Sequence, residues 1–114
     1  TYIGAGTSFS QFQTLNEAYK VQQLQKQTLS AFQAFYLATL GSAKALYLDD
    51  KIGNFEKGKE ADFIVLDYKA SELVSYRNKW CKTLEEELFV LMTLGDDRCV
   101  YETYLMGNKV YSQY

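Results

Sequence analysis

Ile52-Gly53-Asn54-Phe55-Glu56-Lys57-Gly58-Lys59-Glu60-Ala61-Asp62-Phe63-Ile64-Val65-Leu66-Asp67 is the stretch on which the fold is read. Its hydrophobic period is not helical. Glu56 to Lys59 carries turn chemistry around Gly58, and Ile52 to Phe55 before it has the form of a short strand. Ala61 to Asp67 then predicts the clearest strand of the chain. Four apolar residues in succession, Phe63 to Leu66, predict burial on both faces and a central place in a sheet.

Helices are expected upstream. Ser8 and Gln11 are spaced as a capping box, a Ser hydroxyl and a Gln side chain each satisfying a free backbone amide. Phe12, Leu15, Ala18 and Tyr19 follow at helical spacing, so an amphipathic helix is predicted to about Gln25. Ser30 and Gln33 repeat the capping pattern ahead of Phe32, Phe35, Tyr36, Leu37, Leu40, Ala43 and Leu46. Lys44 alone is charged between Ser30 and Leu48, which predicts a helix buried over most of its surface.

Downstream, Tyr68 to Lys82 is the least regular stretch, with a helical turn expected near Ser71 to Tyr76. Thr83 and Glu86 form a third capping box, and Leu84, Leu88, Leu91 and Met92 predict a helix ending on a left-handed Gly95. Val100 to Leu105 and Lys109 to Tyr111 are predicted strands joined at Gly107-Asn108.

Composition narrows the chemistry. The 114 residues include 12 Lys and Arg against 14 Asp and Glu, for a net charge of −2, with 47% hydrophobic residues. That is globular composition with no basic stripe to neutralise phosphates, so nucleic acid is not an expected partner. The longest apolar run, Leu88 to Met92, is far short of the roughly 20 residues a membrane span needs, and no membrane association is expected. With His at zero, these residues hold no imidazole base and no His-ligated metal. Cys81 and Cys99, distant in sequence, read as ordinary thiols of a reducing compartment. A cytoplasmic location is expected.

The remaining candidate sites have simpler readings. Gly4-Ala5-Gly6 precedes a helix, but Phe9 stands where a dinucleotide loop needs its third glycine and no strand leads into it. Asp96-Asp97 lacks the alternating oxygen ligands of a Ca²⁺ loop and is read as a solvated turn. Glu85-Glu86-Glu87 falls in the first turn of a helix, where negative charge opposes the positive end of the helix dipole.

Taken in order, the segments are familiar. Ile52 to Asp67, with its glycine turn and Ala61-Asp62 pair before a strand, resembles the C-terminal signature of the amidohydrolase superfamily. Val100 to Tyr111 resembles that superfamily's closing hairpin. Gly4-Ala5-Gly6-Thr7-Ser8-Phe9-Ser10, Thr14 to Lys20, Ala34 to Gly41 and Leu84 to Arg98 look more particularly like the guanine deaminase family within it. The resemblance implies zinc-dependent hydrolysis of guanine to xanthine and ammonia in purine catabolism, in a (β/α)₈ barrel carrying a small β-sandwich. In such enzymes zinc activates the attacking water, and barrel active sites lie at the C-terminal ends of the strands.

Residue by residue, that machinery does not carry over. The family's metal-binding histidines and its glutamate acid/base lie upstream of a segment like this one. Its metal-binding aspartate belongs to a Thr-Asp-Val-Gly pattern that here reads Thr1-Tyr2-Ile3-Gly4. Tyr2 thus takes the aspartate's position, and a phenol with an ordinary pKa near 10 is a poor ligand and base at neutrality. No catalytic, cofactor-binding or metal-binding residue is assigned. Lys57 also stands where the family often has proline.

The expected fold class is an α+β fragment: the last helices of a metal-dependent hydrolase barrel plus the C-terminal strands of its small β-sandwich. Residues 1–50 are assigned to the barrel helices, 51–67 to sandwich strands, 68–98 to an excursion and helix, and 99–114 to the closing hairpin. The opening threonine and the small strand count fit the end of a longer protein. Three functional expectations follow. The first is a guanine deaminase part that is inactive alone. The second is a non-catalytic packing or assembly module, able to form a homo-oligomer, and the third is an amidohydrolase acting on another aminated purine or a triazine.

Overall fold

The computed structural model describes residues 4–114. Tyr2 lies outside them. Its element order is α1 Gln11–Leu24, α2 Ala31–Tyr36, a π-helical segment Leu37–Gly41, α3 Ser42–Ala45, β1 Phe63–Leu66, α4 Glu72–Asn78, α5 Leu84–Leu94, a 3₁₀ turn Asp97–Cys99, β2 Val100–Leu105 and β3 Asn108–Ser112.

Two of the three predicted capping boxes form. The Ser30 hydroxyl accepts from the Gln33 amide while the Gln33 side chain accepts from the Ser30 amide, and Thr83 and Glu86 do the same at α5. The Ser8 box does not form. Ser8 Oγ instead accepts from the Ser10 amide at 2.9 Å, so the chain turns there and α1 begins at Gln11 with Ser10 as an N-cap that makes no side-chain bond. The helical turn expected near Ser71 is α4, capped by Ser71 through the Val74 amide at 3.2 Å.

α5 is the centre of the molecule. On one side Phe12, Val74, Val90, Leu91 and Cys99 form a core, flanked by Leu66, Tyr68 and Val100. On the other, Leu15, Leu29, Ala34 and Met92 form a second, with Tyr19 meeting Phe89 edge to face at 5.3 Å. Phe35 packs against both. The α1 stripe expected from its 3.6-residue period is thus the one that is buried, and Asn16 ties it to α5 through a bond to the Thr93 carbonyl at 3.2 Å.

The sheet has three antiparallel strands in the order β1-β2-β3. Phe63 stacks on Tyr104 with ring centroids 4.5 Å apart and planes 10° from parallel. The hairpin tip is held by Asp62, whose carboxylate accepts from the Met106 amide at 2.8 Å, and by the Ala61 carbonyl, which accepts from Gly107 at 3.0 Å.

Several expectations are corrected. β1 lies at an edge of the described sheet rather than its centre, because β2 flanks it on one side only. Ile64 and Val65 are 49% and 37% exposed despite the apolar run. Ile52 to Phe55 is a series of bends, not a strand. Gly53 has φ +106 there and lies against Leu40 and Ala43, so the 51–67 segment contributes a single strand. The helix from Ser30 is largely exposed: only Ala31, Ala34 and Ala43 are buried in it, while Phe32 and Leu37 are about half exposed at 50% and 52%. Gly95 is extended, at φ −73 and ψ 155, and is no left-handed cap. The hairpin turn is Met106-Gly107, with φ of 52 and 75, one residue earlier than the glycine-asparagine reading placed it.

Candidate functional site

Two of the candidate acidic groups are engaged with their own neighbours. Asp96 receives the Arg98 guanidinium through both oxygens, at 3.1 Å from Nε and 2.7 Å from Nη2, and also accepts from the Arg98 amide at 3.0 Å. The Arg98 bond holds the Asp96 carboxyl below its usual range. Asp96 therefore caps a turn, as its sequence position suggests. Glu86 is committed to the α5 N-terminus, accepting from the Lys82 and Thr83 amides at 2.6 and 3.3 Å.

Neither thiol is prepared as a nucleophile. Both cysteines are free, and desolvation pushes both thiols above the ordinary value. A reactive cysteine needs the opposite shift. Among the described residues no three of His, Cys, Asp and Glu gather as a metal site. The zinc that the resemblance implies does not fit these residues.

Two of the concavities among the described residues bear on the chemistry. One, of about 520 Å³, lies between α1 and the α4–α5 turn, lined by Tyr19, Leu29, Arg77, Trp80 and Phe89 among others. The other, of about 510 Å³, runs between the π-helical segment with α3 and the sheet, with Ala43, Leu46, Phe55, Ile64, Tyr104 and Leu105 along it. The first also has Arg77, Cys81, Glu85 and Glu86 on its wall, with Glu86 committed to the α5 cap. The second is a packing surface in its chemistry: its wall is aliphatic and aromatic, and its carboxylate, Asp62, is spent on the Met106 amide.

Sequence reading missed the π-helical segment. There Ser42 Oγ donates to the Leu37 carbonyl and Thr39 Oγ1 to the Phe35 carbonyl at 2.7 Å. Hydroxyls one turn on from a carbonyl can bend a helix, yet Thr39 and Ser42 carry no spacing signature that announces a five-residue turn. No described helix is long and apolar enough to cross a membrane.

Comparison with known proteins gives this arrangement a context. The amidohydrolase family profile matches residues 2–110. The chain belongs to the amidohydrolase family.

Within it, the resemblance is to guanine deaminases. The Escherichia coli K12 guanine deaminase is 59% identical over 113 residues, 99% of this chain and 26% of that protein. The solved E. coli enzyme superposes with a TM-score of 0.96 over 100% of this chain and 27% of its own. The guanine deaminase of Bradyrhizobium japonicum is 38% identical with a TM-score of 0.84, covering 100% of this chain and 30% of that one. The chain thus spans about a quarter of the relatives it matches. It corresponds to their C-terminal part: a mixed unit of helices and a small sheet within the amidohydrolase fold.

Proposed function

We propose that this chain is the C-terminal structural quarter of a guanine deaminase, a hydrolase that converts guanine to xanthine and ammonia with a zinc-activated water. It closes the end of the (β/α)₈ barrel with α1, α2 and α3 and supplies β1, β2 and β3 to the attached sandwich. The observation that carries this is the match of the whole chain, at 59% identity and a TM-score of 0.96, to a guanine deaminase. The histidine ligands and the glutamate acid/base of such an enzyme lie upstream of this chain, and the chain by itself does not turn over guanine. A cytoplasmic place in purine catabolism accompanies the reading, supported by two free cysteines.

Tyr2 is its critical residue, since the resemblance puts the family's metal-binding aspartate there. The test is to install residues 1–114 in the E. coli enzyme in place of the matched quarter, with Tyr2 or with Tyr2→Asp, and to measure xanthine formation. The Asp chimera is expected to be active, and the Tyr chimera slower by roughly 10²–10⁴-fold, the usual worth of a positioned acid/base group. An Asp chimera that folds and makes no xanthine overturns the proposal. So does guanine turnover by the isolated chain above a zinc-free control.

A further inference from the structure

We propose that the cavity between α1 and the α4–α5 turn is a binding site for an oxopurine base, the class of molecule to which guanine and xanthine belong. The choice of a purine rests on the functional reading above. The site itself goes beyond that reading, because it is built from this chain's own residues.

Local spacing puts the wall together. Arg77, Trp80 and Cys81 lie three and four positions apart where α4 ends, so they share one side. The Trp80 amide donates to the Arg77 carbonyl at 3.2 Å, and the Cys81 thiol donates to the same carbonyl at 3.7 Å. Glu85 and Phe89, four apart on α5, share a face in the same way. Tyr19 of α1 meets Phe89 edge to face at 5.3 Å. All six line one cavity of about 520 Å³, within the roughly 300–1,000 Å³ of small-molecule sites.

Charge separates this cavity from a packing gap. Arg77 and Glu85 carry opposite charges on one wall, yet neither takes part in the four ion pairs among the described residues. The helix dipole favours an acid at position 85 but does not account for an unpaired guanidinium on the same wall. Trp80, the one tryptophan of the sequence, adds an indole that is 65% exposed.

These groups match an oxopurine edge by edge. A guanidinium donates in parallel to the carbonyl and ring-nitrogen acceptors of a purine, a carboxylate accepts from ring N–H groups, and an aromatic face stacks on the plane of the base. Arg77 and Glu85 do not touch each other, so they suit a ligand whose acceptor and donor edges are separated by a ring. A free aromatic amino acid, which holds its carboxylate and ammonium on one carbon, fits that separation less well.

The test is a titration of the 114-residue chain with xanthine, read by Trp80 fluorescence. Saturable quenching is expected, beyond that of free tryptophan at the same xanthine concentrations. Arg77→Ala should weaken binding roughly 5- to 150-fold, the worth of a bidentate contact to a purine. Glu85→Ala should weaken it as well, while Lys79→Ala, off this wall, should leave it unchanged. Alkylation of Cys81, followed by peptide mass spectrometry, should slow at saturating xanthine in the chain and in the Tyr2→Asp chimera. Quenching no greater than that of free tryptophan, or equal affinity in Arg77→Ala, overturns the proposal. So does a Cys81 that xanthine fails to protect in the chimera, or that the reagent cannot reach there because the cavity is covered. Displacement of xanthine by phenylalanine would assign the site to an aromatic amino acid and overturn it too. Xanthine formation is read separately: a chimera whose Cys81 is protected but which makes no xanthine sinks the functional reading and leaves the site standing.

Discussion

Gly53 is packed onto Ala43 so closely that a Cβ added to it would lie 2.9 Å from the Ala43 Cβ and 3.0 Å from the Leu40 Cα. Both obstacles belong to a helical backbone or its first side-chain atom, so neither can swing aside. The residue also holds φ +106, a conformation that side chains rarely adopt.

Gly53→Ala should therefore destabilise the chain by about 1–3 kcal/mol, as an overpacked site at a strained backbone position does. Gly58→Ala is the internal comparison. It has a similar φ of +97, but no atom lies within 4 Å of its Cβ position, so it carries the backbone strain without the collision and should cost less. Urea midpoints of the two variants decide it; equal losses would remove the packing argument.

The centrality of α5 makes a second expectation. Met92 and Leu91 are both 0% exposed and face different clusters. Truncating either to alanine should cost about 2–5 kcal/mol. That is a large part of a small domain's total stability of about 5–15 kcal/mol. Leu84→Ala in the same helix, at 55% exposure, should cost far less. Thermal unfolding followed at 222 nm would rank them, and a Leu84 loss equal to that of Met92 would contradict the arrangement.

The acid side of the stability curve should involve the β2–β3 hairpin. Glu102 accepts from Lys109 Nζ at 2.9 Å and from the Tyr104 hydroxyl at 2.7 Å. The Lys109 bond first, then the Tyr104 bond, hold the Glu102 carboxyl below its ordinary value near 4.5. A carboxylate lowered in the folded state stabilises it above the unfolded pKa. That contribution is lost as pH falls through the lowered folded value. The hairpin should keep this support at neutrality and lose it below about pH 4. A carbon-detected NMR titration of Glu102 should give a midpoint below 4.5, and Lys109→Gln should move it upward. An unmoved midpoint would show that the ion pair does not hold in solution.

Local features of this fold were legible wherever a residue's partners are near it in sequence. The capping boxes at Ser30 and Thr83, the stripe of Phe12 and Leu15, and the strand type of Phe63 to Leu66 all depend on neighbours a few positions away. The errors share a different origin. Ile64, Val65, Leu37 and Leu46 are apolar enough to predict full burial, yet they stand partly open in the described structure. Hydrophobicity says that a face is to be covered and not what covers it, so the centrality of β1 was misread. Gly95 failed for another reason: glycine permits a left-handed cap without requiring one. Met106 escaped notice because a non-glycine residue at φ 52 has no composition signal. The candidate site was legible mainly as a lack of histidine, and the π-helical segment was not legible at all.

The caps offer the most direct test of local sequence reading, because Ser10 and Thr83 both stand at the N-cap of a long helix and only one makes the bond. Thr83 Oγ1 accepts from the Glu86 amide at 3.2 Å while Glu86 returns the favour to the Thr83 amide at 3.3 Å. Ser10 makes no cap bond, and its hydroxyl is buried without a partner. Thr83→Ala should lose about 0.5–2 kcal/mol, since it leaves the Glu86 amide without its acceptor. Ser10→Ala should be neutral or stabilising, because it removes a buried hydroxyl that is bonded to nothing. The inequality is opposite to what cap propensity alone prescribes for two helices of 14 and 11 residues. Chemical denaturation of the two single variants measures it directly. A Ser10→Ala loss as large as that of Thr83→Ala would mean that Ser10 caps α1 in solution.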